Sequence, residues 1–339
     1  MTETLLSVRD LKVSYSVGGA IIDAVDGATF DVPRGSIVGL VGESGCGKTT
    51  VARALTRVMA DNARITDGQI LLEGTDIAAI PERQMNALRW RDIAFIPQSA
   101  MNSLDPVYTV EYQLNEVLRR RGGMNARQAR LRAVELFDMV GIEKSRLRDY
   151  PHQFSGGMRQ RVAIALALAL NPKLVIADEP VTALDVIVQR QILDQLRELQ
   201  TILGISVILV THDISVVAYI CDRTVVMYAG RIAEAGPMDV VLTRPSHPYT
   251  MGLRNAFPDL AGAASGTLTP IEGAPPNLLA PPPGCRFAPR CPFALDICTK
   301  ASPPLREIEP EHRVACHRAD EASVLRELAA NTETWLAHA

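Results

Sequence analysis

The order of apolar and polar positions divides the chain into strand-like and helix-like stretches. "SVRDLKVSY" (Ser7 to Tyr15) and "GATFDVP" (Gly27 to Pro33) alternate at a period of two, which predicts half-buried strands. "GSIVGLVG" (Gly35 to Gly42) is a continuous apolar run ending in glycine and predicts a buried strand. Residues 1 to about 80 therefore read as short strands and turns around one glycine-rich loop. From about 81 to 150 the pattern is mostly helical. "ARQARLRAVELFDMVGI" (Ala126 to Ile142) is its clearest part, with apolar residues at helical spacing. A long helix is expected from Ser155. It runs into a short apolar strand, "KLVIADEP", then a helix, "VIVQRQILDQLRELQTIL", then the strand "SVILVTHD", another helical run and "RTVVMYAGRIAEAG". Alternating strand and helix implies an α/β core, a sheet with helices packed on it. Residues 257–284 hold seven prolines and many small residues, and read as a linker to a cysteine-rich tail.

Composition narrows the class. The chain has 339 residues, 47% hydrophobic and 22% charged, with a net charge of −3, as expected of a globular protein with a sizeable core. No basic footprint points to nucleic acid, and Arg119 to Arg121 read as a solvated helix face. The start, "MTETLLSVRD", has no positive region followed by an apolar stretch, so no secretory signal is expected. "VAIALALAL" (Val162 to Leu170) falls far short of the roughly 20 residues that span a bilayer. A reducing compartment is the expectation. There the four tail cysteines read as metal ligands or catalytic groups rather than as two disulfides.

The chemistry concentrates in three places. "GESGCGKT" (Gly42, Glu43, Ser44, Gly45, Cys46, Gly47, Lys48, Thr49) fits G-x-x-x-x-G-K-T without a gap, between a predicted strand and a predicted helix that starts with Thr49 and Thr50. Its glycines let backbone N–H groups wrap a phosphate at a helix N-terminus. Lys48 is expected on the β/γ-phosphates and the Thr49 hydroxyl on Mg²⁺. "LVIADEP" supplies Asp178 to hold Mg²⁺ through water and Glu179 to orient an attacking water. "FSGGMRQR" opens a helix with Ser155, Gly156 and Gly157. Alone it reads as an N-cap with two spare glycines. Beside a phosphate loop that already holds one triphosphate, it suggests a second anion site for the nucleotide of another chain.

Together these motifs resemble the nucleotide-binding subunit of ATP-binding cassette (ABC) transporters, over roughly residues 5 to 255. "FSGGM" is similar to that family's signature loop, with Phe154 and Met158 departing from the usual LSGGQ. The resemblance implies a P-loop domain (1–256) made of a RecA-like core, an antiparallel β subdomain and a helical subdomain at about 81–165. A Pro-rich linker (257–284) and a small Cys-rich extension (285–339) would follow. By position, Tyr15 corresponds to the residue stacking on adenine. Gln98 corresponds to the glutamine that senses Mg²⁺, Asp185 in "TALD" to the loop crossing a dimer interface, and His212 to the switch histidine at the γ-phosphate. ATP is then expected between Lys48 of one subunit and the Ser155–Met158 loop of the other.

"RPSHPYTMGL" (Arg244 to Leu253) is similar to the His-Pro-Tyr segment of oligopeptide, dipeptide and nickel uptake systems. That resemblance implies a second ATPase subunit, two transmembrane permeases, an extracytoplasmic binding protein, and a peripheral place on the cytoplasmic face of the membrane. The alternatives are a nickel or glycoside importer, or a soluble ABC ATPase with a redox-sensing tail. Cys285, Cys291, Cys298 and Cys316 follow C-x5-C-x6-C-x17-C. Zinc sites usually include a closer pair, whereas a cubane with one thiolate per iron suits wider arcs. The expectation is a 4Fe–4S cluster, with zinc or free thiols as alternatives, and members of the resembling family carry such a cluster.

Overall fold

The computed structural model describes residues 3–98, 103–182, 184–256 and 271–336. Among the described residues the strands, in chain order, are β1 Thr4–Val17, β2 Ala20–Pro33, β3 Ile37–Val41, β4 Ala63–Leu72, β5 Thr75–Asp76, β6 Ile93–Ile96, β7 Leu174–Asp178, β8 Ser206–Thr211, β9 Arg223–Tyr228, β10 Arg231–Pro237, β11 Arg306–Glu309 and β12 His312–Val314. The chain divides into two compact units. One holds residues 1–5, 32–37 and 79–210, and the other holds 6–31, 38–78 and 211–339.

In the first unit β6, β7 and β8 pair in parallel. Every residue of β7 and β8 is buried. Parallel strands covered on both faces read as unbroken apolar runs rather than as alternation. β6, "IAFI", was hidden in the sequence. Four residues within a helix-rich context carry too little periodicity to register, and pairing along β7 makes the strand. Several helices of this unit start where side chains can accept their first N–H groups. Thr109 caps Val110–Arg120, and Asn125 with Gln128 forms a capping box on Ala126–Met139. "VAIALALAL" lies mostly in the helix Gly156–Ala167, whose Val162, Ala163, Ile164, Ala165 and Ala167 are all buried. A helix apolar all round belongs in a core.

The second unit has an antiparallel sheet, β2-β1-β4-β5, in which Leu6 faces Leu72 and Tyr15 faces Ala63 across β1 and β4. It also has a run of strands in which β3 and β9 are parallel and β9, β10, β12 and β11 are successively antiparallel. β12 and β11 come from the cysteine tail, so the tail extends this sheet through Glu234↔Val314 and Ala235↔Arg313. The helix Ile214–Ile220 lies tight on β3. A Cβ on Gly39 would come within 2.3 Å of Val217 Cγ1. Of the predicted linker, residues 257–270 lie outside the described residues, and 271–283 run without regular structure. No helix among the described residues is long and apolar enough to cross a membrane.

Candidate active site

The phosphate loop belongs to the second unit. β3 delivers it and the helix Lys48–Thr56 leaves it. Gly47, the residue before that helix, sits in the left-handed region at φ 100 and offers no side-chain cap to the first turn. Two of its glycines are required by space. A Cβ on Gly42 would stand 2.1 Å from the Met227 carbonyl, and one on Gly47 2.4 Å from that of Ala24. Ser44 and Gly45 form the exposed crest. Lys48 is buried, and its Nζ donates to the Gly42 carbonyl at 2.7 Å and to the Glu43 carbonyl at 2.9 Å. Burial pushes the Cys46 thiol up, against the pull of Lys48. Tyr15 and Thr50 bring their hydroxyls within 3.3 Å, and Thr49 is half-buried in the first turn. His212 is exposed just past β8, next to Asp213, which caps the helix Ile214–Ile220.

The first unit holds the carboxylates. Asp178 ends β7, buried, and Glu179 follows at φ 49, an uncommon conformation for a side chain of its size. Glu179 Oε2 accepts from Gln98 Nε2 at 2.7 Å and from Thr182 Oγ1 at 3.0 Å. The structure therefore joins Gln98 to Glu179. It adds Thr182, which the sequence marked only as the start of "TALD" and not as a partner of Glu179. The only available signal was a hydroxyl three residues after the carboxylate.

In the same unit the Ser155 side chain accepts from the Met158 N–H at 3.3 Å and caps the helix Gly156–Ala167. A Cβ on Gly157 would meet Val188 Cγ1 at 2.6 Å, so this glycine admits the neighbouring helix Val186–Leu203. Asp185 caps that helix by accepting from Val188 N–H at 3.0 Å. Ala183, in "TALD", lies outside the described residues. Phe154 and Met158, the two departures from the signature loop, share one partner. The Arg146 guanidinium stacks 4.6 Å from the Phe154 ring centre and donates to Met158 Sδ at 3.3 Å. Arg146 was not legible in advance, because its interest lies only in that bridge.

The four tail cysteines line one small cavity with Phe287, Phe293, His317 and Arg318. Backbone N–H groups point at two of the sulfurs, Leu295 at Cys298 Sγ (3.5 Å) and Arg318 at Cys316 Sγ (3.4 Å). Among the described residues, however, no group of three or more His, Cys, Asp or Glu side chains is placed to hold a metal ion. The side-chain placement thus gives no support to the metal centre expected from the sequence. Burial pushes Cys291 up to about 12 and Cys316 to about 11, and raises Cys285 as well.

The His-Pro-Tyr segment is fastened from within. Glu234 of β10 is fully buried and accepts from the N–H groups of Ser246 (2.8 Å) and His247 (3.0 Å), with His312 Nε2 at 2.7 Å. His247 Nδ1 accepts from the Tyr249 N–H at 3.0 Å, at the start of the helix Pro248–Asn255.

A family model described as "ABC transporter" matches residues 25–182, and one described as "Oligopeptide/dipeptide transporter, C-terminal region" matches 233–298. A dimeric post-hydrolysis structure of the ATP-binding cassette MJ0796, bound to ADP and Pi, is similar at a TM-score of 0.62. It is 28% identical and covers 69% of this chain and 98% of that one. The fold and loop define an ABC-type ATPase. Curated relatives include the dipeptide transport ATP-binding protein DppD of Bacillus subtilis, 44% identical over 94% of this chain and 96% of that protein. The oligopeptide transport ATP-binding protein OppD of Escherichia coli is 46% identical over 93% and 94%. The chain belongs to the ATP-binding proteins of the oligopeptide and dipeptide ABC transporter family.

Proposed function

We propose that this ATPase powers import of dipeptides or oligopeptides through a membrane transporter. The carrying observation is a gap-free phosphate loop with its lysine buried against it, in a chain whose match to peptide-transport ATP-binding proteins continues through the C-terminal region. ATP lies with its phosphates on the loop amides from Ser44 to Lys48 and its adenine against Tyr15. Lys48 turns from its carbonyl acceptors toward the β/γ-phosphates. Thr49, Gln98 and Asp178 offer the oxygen donors a hydrated Mg²⁺ takes, and the ion, when bound, neutralises charge on the transferred phosphoryl group.

Glu179 accepts a proton from the attacking water as the new P–O bond forms and the bond to the β-phosphate oxygen breaks. Gln98 and Thr182 hold its carboxylate for that step, and His212 contacts the γ-phosphate. Ser155, Gly156, Gly157, Met158 and Asp185 act on the ATP of a second cassette, so two subunits close on nucleotide and open after hydrolysis. Two permeases and an extracytoplasmic binding protein complete the transporter, with this chain peripheral on the cytoplasmic side. Peptide uptake into vesicles of the assembled transporter tests the reading. Glu179→Gln should keep ATP binding and lose turnover by about 10²-fold or more. Vesicles that take up nickel or a glycoside but no peptide would overturn the substrate assignment.

The same reading gives the four tail thiols a 4Fe–4S cluster. Their common cavity and the N–H groups aimed at sulfur support it, because such donors stabilise cluster thiolates. The cavity they share has a volume of about 20 Å³. Cys285, Cys291, Cys298 and Cys316 would each supply one thiolate, releasing a proton as they ligate. Anaerobically purified chain should contain iron and sulfide and absorb near 400 nm, about where thiolate–iron charge transfer falls. Colourless protein with one zinc per chain would decide for zinc.

A further inference from the structure

One residue of the cysteine tail grips the phosphate loop. Arg290 is almost fully buried, with a side chain 6% exposed. Its Nη1 donates to Glu43 Oε2 at 2.7 Å and its Nη2 to Glu43 Oε1 at 3.0 Å, a two-pronged pair. The rest of the guanidinium is also engaged, with the carbonyls of Ile271 and Glu272 and the Tyr228 hydroxyl. Glu43 is the first residue after Gly42 in the loop, and both its backbone groups are committed. Its carbonyl accepts from Lys48, and its N–H donates to the Tyr249 hydroxyl at 2.9 Å. Tyr249, from the His-Pro-Tyr segment, is fully buried and packs with Tyr228 and Phe287.

Arg290 also sits at a mechanically defined place. It ends the 3-10 turn Ala288–Arg290, immediately before Cys291. The Ala288 N–H donates to the Cys285 carbonyl and the Cys291 N–H to the Ala288 carbonyl. The arc between two cysteines is therefore a tight turn with the gripping arginine at its end.

We propose that Arg290 and Tyr249 are positioning residues of the nucleotide site, so that the order of the cysteine arc sets how tightly the chain binds ATP. The proposal rests on the reading of Gly42–Thr49 as the ATP phosphate loop. Glu43 is held by side chain and amide, which leaves its carbonyl aimed at Lys48 and fixes the loop's first turn before nucleotide arrives. Pre-organisation of this kind acts on binding. The pair is only partly buried, and its two-pronged geometry fixes where the Glu43 carboxylate sits.

The test is a double-mutant cycle in the assembled transporter, reading KM and kcat for ATP together with the Kd of a fluorescent ATP analogue. Arg290→Met and Glu43→Gln should each raise KM and Kd by about tenfold with kcat within about twofold, and the double variant should be no worse than either single. Tyr249→Phe, which removes one oxygen, should raise KM by about threefold, and it carries the test if Arg290→Met fails to fold. Replacing Cys285 and Cys291 by serine should shift KM in the same direction and should not add to Arg290→Met. Wild-type KM in both Arg290→Met and Tyr249→Phe overturns the proposal. So does a loss confined to kcat, or full additivity of Arg290→Met with Glu43→Gln. The phosphate-loop reading is checked apart from this. Lys48→Ala that binds nucleotide normally would overturn that reading, whatever Arg290 does.

Discussion

Two helices of this protein begin with glycine-rich loops, and they begin differently. The helix after the phosphate loop starts from Gly47, which leaves its first N–H groups without a side-chain cap. The helix after the signature loop starts from Ser155, whose hydroxyl takes one of those N–H groups. A helix N-terminus leaves about four N–H groups to be satisfied. At Gly47 a ligand is the partner the loop is shaped for. At Ser155 the chain supplies its own partner. A third helix, Pro248–Asn255, uses His247 Nδ1 as its acceptor. The three helix starts are thus an open site, a self-capped one and a purely internal one, separated by the identity of the capping group.

The comparison breaks most severely at Lys48. Lys48→Ala should weaken ATP binding by about 10²-fold or more, since charged hydrogen bonds are worth about 1.5–3 kcal/mol each. Equilibrium binding of labelled ATP measures this, and a smaller loss would place the phosphates elsewhere.

The next largest effect belongs to the histidine cap. Burial holds the His247 pKa at about 4, against the attraction of Glu234. The unfolded chain takes up a proton near pH 6.5 that the folded one refuses until about pH 4. Stability from this group is therefore complete above pH 6.5 and is lost as pH falls toward 4, by about 3 kcal/mol over the window. His247→Asn keeps a capping oxygen and should flatten that slope in urea titrations at several pH values.

Gly47→Ala comes third. Its Cβ meets the Ala24 carbonyl at 2.4 Å from a left-handed backbone, so a cost of about 2–4 kcal/mol is expected by chemical denaturation. Gly157→Ala meets only the Val188 side chain and should cost less.

Ser155→Ala should have the smallest effect on folding, about 1 kcal/mol for a lost cap. It should leave nucleotide affinity of the isolated subunit unchanged and lower turnover of the assembled transporter. A fall in isolated-subunit affinity would show that the loop serves its own chain.

How much of this was legible follows from where the information sits. The phosphate loop was readable because its chemistry lies in eight consecutive residues, and Asp178–Glu179 because a buried strand ends there. Gln98 beside Glu179 could not be derived from spacing, as 81 residues separate them. It came through resemblance, and the hydrogen bond came from the structure. Arg146 gave no signal because an arginine over an aromatic ring and a sulfur has no sequence signature, and Arg290 gave none because Glu43 lies far along the chain. The tail was the least legible part. "REIE" and "HRV" are too short and polar to announce strands, and their structure comes from pairing with each other and with β10. Its apolar content looked thin in sequence, yet Phe287, Phe293 and Trp335 are buried.

The pairing of β12 with β10 has a consequence for how the protein is made. A ribosome emits the chain from the N-terminus, and β10 ends at Pro237 while β12 begins only at His312. For the whole interval between them, one side of β10 has no strand to bind. An open strand edge is a template for other chains, and nascent multidomain proteins are vulnerable at such edges. A gene cut before residue 306 would freeze the protein in that interval. Its product should collect in inclusion bodies even though every nucleotide-binding motif is present.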